Sequence, residues 1–201
     1  MIVLDIETSG LDKVNCGIWQ IGALDLENPS NVFLEEGRID DEDVVEEEAV
    51  KVHGKNEAYL RNSEKQSQME LIEKLFNWAR KVKIITAICQ NPQFDLVFIR
   101  SKAEKYGINN PFHRRSFDLH SFASLKYYQI YGKFLMEENH SGMGLTNILE
   151  FCGVNYERGA HNALEDAELT AECFSRIVYG RSLFPKYNHF SIPKELGRTK
   201  E

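Results

Sequence analysis

The sequence has little positive charge, and this shortage excludes one way of binding nucleic acid. Its 201 residues carry 24 Lys and Arg against 31 Asp and Glu, which gives a formal net charge of -7. A protein that holds nucleic acid mainly through a basic surface needs many Lys and Arg contacts to release counterions. We therefore do not expect this mode of binding, although an enzyme that reaches phosphate groups through metal ions remains compatible with the charge.

Long apolar runs are also missing. No stretch approaches the roughly 18 apolar residues of a membrane helix, and the N-terminal MIVLDIETSG has no basic region followed by an apolar one. We expect neither a signal peptide nor a membrane partner. The length and the 42% share of apolar residues predict one globular domain over residues 1–180. Beyond Gly180 the periodicity is weak, so residues 181–201 are expected to form a loosely attached C-terminal tail.

Cysteine is scarce and scattered. Cys16, Cys89, Cys152 and Cys173 form no C-x-x-C pair. This pattern favours reduced core thiols in a cytoplasmic protein over disulfides or a zinc site.

Apolar periodicity predicts an α/β fold. The N-terminal IVLDIE alternates as a strand does, and the apolar run at 16–26 continues past a turn into NVFLEE, which indicates a β-meander. Further strands are predicted at 82–89 and 115–117. Helices are predicted at 40–53, from a capping box at 63–66 to 79, at 92–107, up to about residue 128, at 145–152 and from 163 onward. A meander followed by strand and helix alternation predicts a mixed central sheet flanked by helices.

Acidic residues stand at the ends of several of these elements. Asp5 and Glu7 share one face at the end of the first strand. Asp95 lies one turn into the helix of QNPQFDLVFIR, on the same face as Phe98 and Ile99. A carboxylate that faces the core is unfavourable unless it is paired or binds a cation.

The stretch HNALEDAE adds a histidine and a fourth acid. Side chains five residues apart in a helix point about 140° away from each other. Asn162 is a good N-cap, however, so the helix should start at Ala163 and leave His161 just before the cap. In that arrangement His161 and Asp166 occupy positions that pack against each other at helix entries. Glu165, Glu168 and Glu172 are expected on the solvated side of this helix.

Four converging carboxylates repel one another, and divalent metal relieves that repulsion. Oxygen ligands favour Mg²⁺ or Mn²⁺ over zinc. Two such ions stabilise the attacking and leaving oxygens of a phosphoryl displacement. A histidine beside them, His161, is suited to deprotonate the attacking water.

The motifs DIETSG, QNPQFD and HNALED, in this order, resemble the three motifs of the DEDDh family of 3′-to-5′ exonucleases, which includes the proofreading subunit of bacterial DNA polymerase III. The resemblance implies a ribonuclease H-like fold and hydrolysis of nucleotides from a 3′ end with two metal ions. It implies that Asp5, Glu7 and Asp166 bind the first ion, that Asp5 also binds the second, and that Asp95 is a further, partly water-mediated ligand. His161 would be the general base. By the same likeness, the residues that line the terminal nucleotide are Thr8, Leu11, His53 and Phe94.

The sequence departs from the family pattern at Ser9, Gln90 and Pro92, which bears on substrate preference and not on the metal ligands. The expected partners are single-stranded 3′ ends of DNA or RNA and a polymerase or another replication or repair protein. The principal alternative is a non-catalytic module of the same fold that binds nucleic-acid ends or a polymerase. Loss of a site residue would favour that alternative, but all five are present.

Overall fold

The computed structural model describes residues 1–156, 159 and 162–197. The strands within these residues are β1 (Ile2–Thr8), β2 (Ile18–Asp25), β3 (Asn28–Glu36), β4 (Ala87–Cys89), β5 (Phe117–Asp118), β6 (Met136–Glu137) and β7 (His140–Ser141). The helices are α1 (Glu47–His53), α2 (Glu57–Leu60), α3 (Gln68–Ala79), α4 (Pro92–Tyr106), α5 (Leu119–Tyr131), α6 (Leu145–Phe151) and α7 (Ala163–Tyr179). A short 3-10 turn follows at Pro185–Tyr187.

The main sheet is mixed, as the sequence predicts, and β1 lies at its centre. Its strand order is β3-β2-β1-β4-β5. The meander strands β1, β2 and β3 pair antiparallel, whereas β4 and β5 extend the sheet in parallel beyond β1. In this register Asp5 lies opposite Gly22 of β2, and Val3 lies opposite Ile88 of β4.

Two apolar layers cover the two faces of the sheet. Ile2, Leu4 and Ile6 pack in a cluster with residues of α3 and α4. Val3 packs on the other face with residues of α5, α6 and α7. Because side chains alternate along a strand, Asp5 points toward the same side of the sheet as Val3, which is the side that carries α7.

The helix predicted at 40–53 is shorter in the structure. It begins only at Glu47, because the preceding segment is held by tertiary contacts. The N–H of Val44 donates to the carbonyl of Asn15 at 2.6 Å. Asp43 is buried and pairs with the buried ammonium of Lys102 at 2.7 Å. The acidic run is therefore not simply a solvated helix face.

Two other predicted bounds are wrong in detail. The capping box of α3 is formed by Ser67 and Glu70 rather than at 63–66. The strand predicted at 82–89 is reduced to Ala87–Cys89. The predicted caps of α4 and α7, at Asn91 and Asn162, are confirmed as the residues that precede those helices.

The prediction that Glu172 faces solvent is wrong. The prediction of a loosely attached C-terminal tail is also wrong for residues 181–197, the part of it that the structure describes. Glu172 is fully buried and accepts a hydrogen bond from Nε of Arg176 at 2.6 Å. Arg176 also donates to the carbonyl of Tyr187 at 2.9 Å. Tyr187 and Leu196 are each only 3% exposed, in the apolar cluster that includes α7. The described part of the segment after α7, up to residue 197, is thus packed against the domain, while the domain boundary at residue 180 stays a prediction.

All four cysteines are buried free thiols, as expected. Over the described part of the chain, no helix combines the length and the apolar character that crossing a membrane requires.

Candidate active site

Three of the predicted acids come together at the end of β1. Asp5, Glu7 and Asp166 each offer a carboxylate oxygen, and these oxygens lie within 4.8 Å of one another. Asp5 and Glu7 share a face because they are two residues apart on a strand. Glu7 and Asp166 are buried, and Asp5 is partly buried. Carboxylates this close and this poorly solvated destabilise one another unless a cation lies between them.

A close contact between α7 and β2 brings Asp166 to this point. A Cβ added to Gly22 would lie 2.1 Å from the backbone nitrogen of Leu164 and 2.2 Å from the carbonyl carbon of Ala163. Only glycine therefore allows the first turn of α7 to rest on the strand. Since Gly22 is the pairing partner of Asp5, this contact places the helix start directly beside the carboxylates of β1.

Two side chains fix the start of α7 at that contact. The side-chain oxygen of Gln20 accepts a hydrogen bond from the N–H of Ala163 at 2.8 Å. The side chain of Asn162 accepts from the N–H groups of Leu164 and Glu165. Together they satisfy N–H groups that the first turn of a helix leaves without partners.

Asp95 approaches the cluster from the other side of β1. The turn before α4 has Asn91 in the left-handed conformation, with φ of 67°, and Pro92 begins the helix. The buried carboxylate of Asp95 accepts a hydrogen bond from the N–H of Ile6 at 3.2 Å. Burial and, to a lesser extent, the negative charge of Glu7 raise the pKa of Asp95 to about 8, against the lowering effect of its backbone hydrogen bonds. A buried acid whose ionised form is so unfavourable is typical of a functional site.

The carboxylates of Asp5, Glu7, Asp95 and Asp166 line a cavity of about 300 Å³. It also contains Gln90, whose amide donates to the carbonyl of Met143 at 3.2 Å. A purely oxygen donor set suits Mg²⁺ or Mn²⁺. The residues present thus fit a divalent metal centre.

A second, mainly apolar cavity of about 270 Å³ adjoins the first, and Ile6, Glu7 and Phe94 line both. All four residues predicted to line the terminal nucleotide border it: Thr8, Leu11, His53 and Phe94. The hydroxyl of Thr8 donates to the carbonyl of Gly10 at 2.7 Å. Nδ1 of His53 accepts from the N–H of Lys55 at 3.0 Å. The structure thus groups these four side chains beside the acids, and their roles remain predictions.

His161, the predicted general base, lies outside the described residues. The sequence alone places it one residue before Asn162, the N-cap of α7.

Sequence reasoning missed Gln20 and Glu46. Gln20 caps α7 from β2, and Glu46 lines the apolar cavity. Gln20 is a polar residue inside a run of buried apolar ones, and this signal could have marked it. Glu46 had no such signal because it stands in an acidic run.

The comparison with protein families matches residues 2–174 to RNase_T, a family described as "Exonuclease". This match covers most of the chain, so the chain belongs to that exonuclease family.

Two curated relatives differ in how much of them this chain covers. The chain is 27% identical over 180 residues to a PolC-type DNA polymerase III of Caldanaerobacter subterraneus, covering 88% of this chain and 11% of the polymerase. It is 26% identical over 221 residues to Ribonuclease T of Haemophilus influenzae, covering 100% of this chain and 88% of that protein. The chain therefore spans a small part of the polymerase and most of the ribonuclease.

Solved structures confirm the ribonuclease H-like fold. The nuclease domain of 3′hExo, described as a DEDDh family member bound to rAMP, matches with a TM-score of 0.68 at 14% identity, covering 96% of this chain and 95% of that chain. Escherichia coli Exonuclease I, solved with a dA16 oligonucleotide, matches with a TM-score of 0.65 at 14% identity, covering 87% of this chain and 40% of that chain. At 14% sequence identity, the similarity to these two structures shows a shared fold and nothing further.

Proposed function

We propose that this protein is a metal-dependent 3′-to-5′ exonuclease that removes nucleotides from single-stranded 3′ ends of DNA or RNA. The observation that carries the proposal is the cluster of Asp5, Glu7 and Asp166, whose oxygens lie within 4.8 Å beside an apolar cavity. Membership of the exonuclease family supports hydrolysis that starts from an end.

Each acid has a proposed part in holding metal. Asp5, Glu7 and Asp166 would hold one divalent ion, and Asp5 would also hold a second. Asp95 would be a further ligand, partly through water. Two Mg²⁺ or Mn²⁺ ions bound there would stabilise the charge on the attacking and leaving oxygens of phosphodiester hydrolysis. The mutual proximity of three of the carboxylates and the raised pKa of the fourth support this assignment.

We propose His161 as the general base that takes the proton from the attacking water. An imidazole has a pKa near neutrality, which suits proton transfer at physiological pH. The support is its position in the sequence, directly before the N-cap of the helix that carries Asp166.

The apolar cavity would hold the terminal base, with Leu11 and Phe94 against its faces and Thr8 and His53 at its border. The adjoining cavity would then receive the terminal phosphodiester. A paired 3′ end must first unpair and unstack, which costs a few kcal/mol. A chain with net charge -7 has few basic contacts to offset that cost, so we expect single-stranded ends to be preferred.

The test uses DNA and RNA oligonucleotides with a 5′ label, as single strands, blunt duplexes and 3′-mismatched duplexes, with and without Mg²⁺. Stepwise shortening from the 3′ end that requires metal and is absent in Asp5→Ala is the expected result. Blunt duplex degraded as fast as single strand would contradict the substrate preference, and cleavage that begins internally or at the 5′ end would contradict the activity.

We further propose that the domain works with a polymerase or another replication or repair protein. The relative named as a polymerase supports this, since the matched region is one part of that long chain.

A further inference from the structure

Leu11 borders the apolar cavity, but little packing holds its side chain in place. Its side chain is 77% exposed, and it lies in the loop between β1 and β2. An exposed side chain of this kind is fixed only as well as its backbone is fixed, because ordering it is opposed by conformational entropy. The position of Leu11 must therefore come from backbone contacts of the loop.

Glu46 makes the contact that holds this backbone. One carboxylate oxygen of Glu46 accepts a hydrogen bond from the N–H of Leu11 at 2.9 Å. The other oxygen accepts from the thiol of Cys16, at the far end of the same loop, at 3.5 Å. A hydrogen bond from a backbone N–H to a carboxylate is charge-assisted and is stronger than one between neutral groups.

Glu46 is placed to cap α1, but its side chain contacts the loop instead. Glu46 is the N-cap residue of α1, yet its side chain makes no capping hydrogen bond to that helix. The close approach to the loop also requires Gly10, because a Cβ there would lie 2.4 Å from Cδ of Glu46. The N–H of Glu46 donates to the carbonyl of Ser9 at 2.8 Å, so side chain and backbone both join α1 to the loop.

Helix α1 also lines the cavity, through Ala49, Val52 and His53. We propose that Glu46 is a positioning residue that holds Leu11 at a fixed place at the border of this cavity. Glu46 thereby sets how well the enzyme acts on paired relative to single-stranded 3′ ends. This inference rests on the proposed exonuclease function and on the nucleotide contact assigned to Leu11.

The test separates the length of the side chain from its charge. Glu46→Asp keeps the charge and is a good N-cap for α1, but it is one methylene too short to reach Leu11. Glu46→Gln keeps the length and an acceptor oxygen. Glu47→Asp is the matched control, since Glu47 is exposed and does not border the cavity. Leu11→Ala and the double variant Leu11→Ala/Glu46→Asp complete the set.

The measured quantity is the ratio of initial rates on single-stranded and 3′-paired oligonucleotides in Mg²⁺. We expect Glu46→Asp and Leu11→Ala each to raise this ratio about tenfold, comparable to the loss of one charge-assisted hydrogen bond. The double variant should rise no further than either single variant. Glu46→Gln should stay within about threefold of wild type, and Glu47→Asp should match wild type.

A second measurement, amide hydrogen exchange of Leu11 by NMR, does not depend on activity. Exchange at Leu11 should be faster in Glu46→Asp and close to wild type in Glu46→Gln and Glu47→Asp. Unchanged exchange in Glu46→Asp, or additive effects of Leu11→Ala and Glu46→Asp on the rate ratio in an active wild-type enzyme, would overturn the inference. Wild-type protein without nuclease activity would instead refute the proposed function, while the exchange measurement would still test the contact.

Discussion

The contact between Gly22 and the start of α7 makes Gly22→Ala the most informative single substitution. The added methyl carbon would lie 2.1 Å from the backbone nitrogen of Leu164, whereas ordinary contacts between heavy atoms are about 3.5 Å or longer. The nearest atoms are backbone atoms of Ala163 and Leu164, so no flexible side chain can move aside. The first turn of α7 must therefore shift by about 1 Å or more, and Asp166 shifts with it.

The expected size of the effect follows from these distances. Overpacking a close contact costs about 1 to 3 kcal/mol, which in a domain of this size lowers the melting temperature by roughly 2 to 12 °C. A misplacement of about 1 Å in a catalytic group lowers the rate about 100-fold. Activity should thus fall far more than stability, and the Mg²⁺ concentration for half-maximal activity should rise.

The assay compares melting temperature, Mg²⁺ dependence and rate on a single-stranded oligonucleotide. Gly144→Ala is the matched control, because a Cβ at that position meets no atom within 4 Å. It should keep the rate and lower the melting temperature only slightly. If Gly22→Ala kept the wild-type rate and metal dependence, the account of how α7 positions Asp166 would be wrong.

Four further predictions concern other parts of the molecule. Replacing any one of the four site carboxylates (Asp5, Glu7, Asp95 or Asp166) with alanine should abolish turnover, while circular dichroism should show a folded protein. Substantial residual activity in any of these variants would count against the site. The pKa of Asp95 is raised to about 8, so the folded state keeps a proton that the unfolded state loses above a pH of about 4. The metal-free protein should therefore lose stability as the pH rises from about 4 to about 8, and Asp95→Asn should remove this slope in urea titrations. His161→Ala should lower the rate about 10²- to 10⁴-fold and flatten the rise of activity with pH; an unchanged pH profile would remove this histidine from the mechanism. Arg176→Met should lower the free energy of unfolding by about 3 to 5 kcal/mol, because it leaves Glu172 charged and buried without its partner; a wild-type urea midpoint would contradict this.

The fold was predictable from the sequence where its signals are local. Alternation at the N-terminus predicted β1, and Asn162 predicted the start of α7, since strand periodicity and capping depend on residues near in sequence. Glu172 was misplaced because the other side of α7 is covered by the segment after Gly180. Such coverage by a distant part of the chain leaves no trace in helical periodicity.

The residues of the candidate site also divide into those with a local sequence signal and those placed by contacts between distant parts of the chain. Asp5 and Glu7 could be predicted to share a face from their spacing, and Asp95 and Asp166 could be recognised as acids at helix starts. The motif resemblance added the expectation that all four are metal ligands. Gln20 could not be assigned a role in advance, because its hydrogen bond to Ala163 joins residues 143 positions apart. Contacts of that range depend on how the whole sheet is assembled.

The docking of α7 on β2 has a consequence for the order in which the protein gains activity during folding. Asp5 and Glu7 belong to the first strand, whereas Asp166 arrives only when α7 docks on Gly22. A nascent chain that has formed the β-meander still lacks one of the three clustered carboxylates. We therefore expect metal affinity to appear late, together with the docking of α7, so that partly folded chains are inert as nucleases. Stopped-flow refolding in the presence of Mg²⁺ should show metal uptake and activity returning in the same phase, after the sheet has formed.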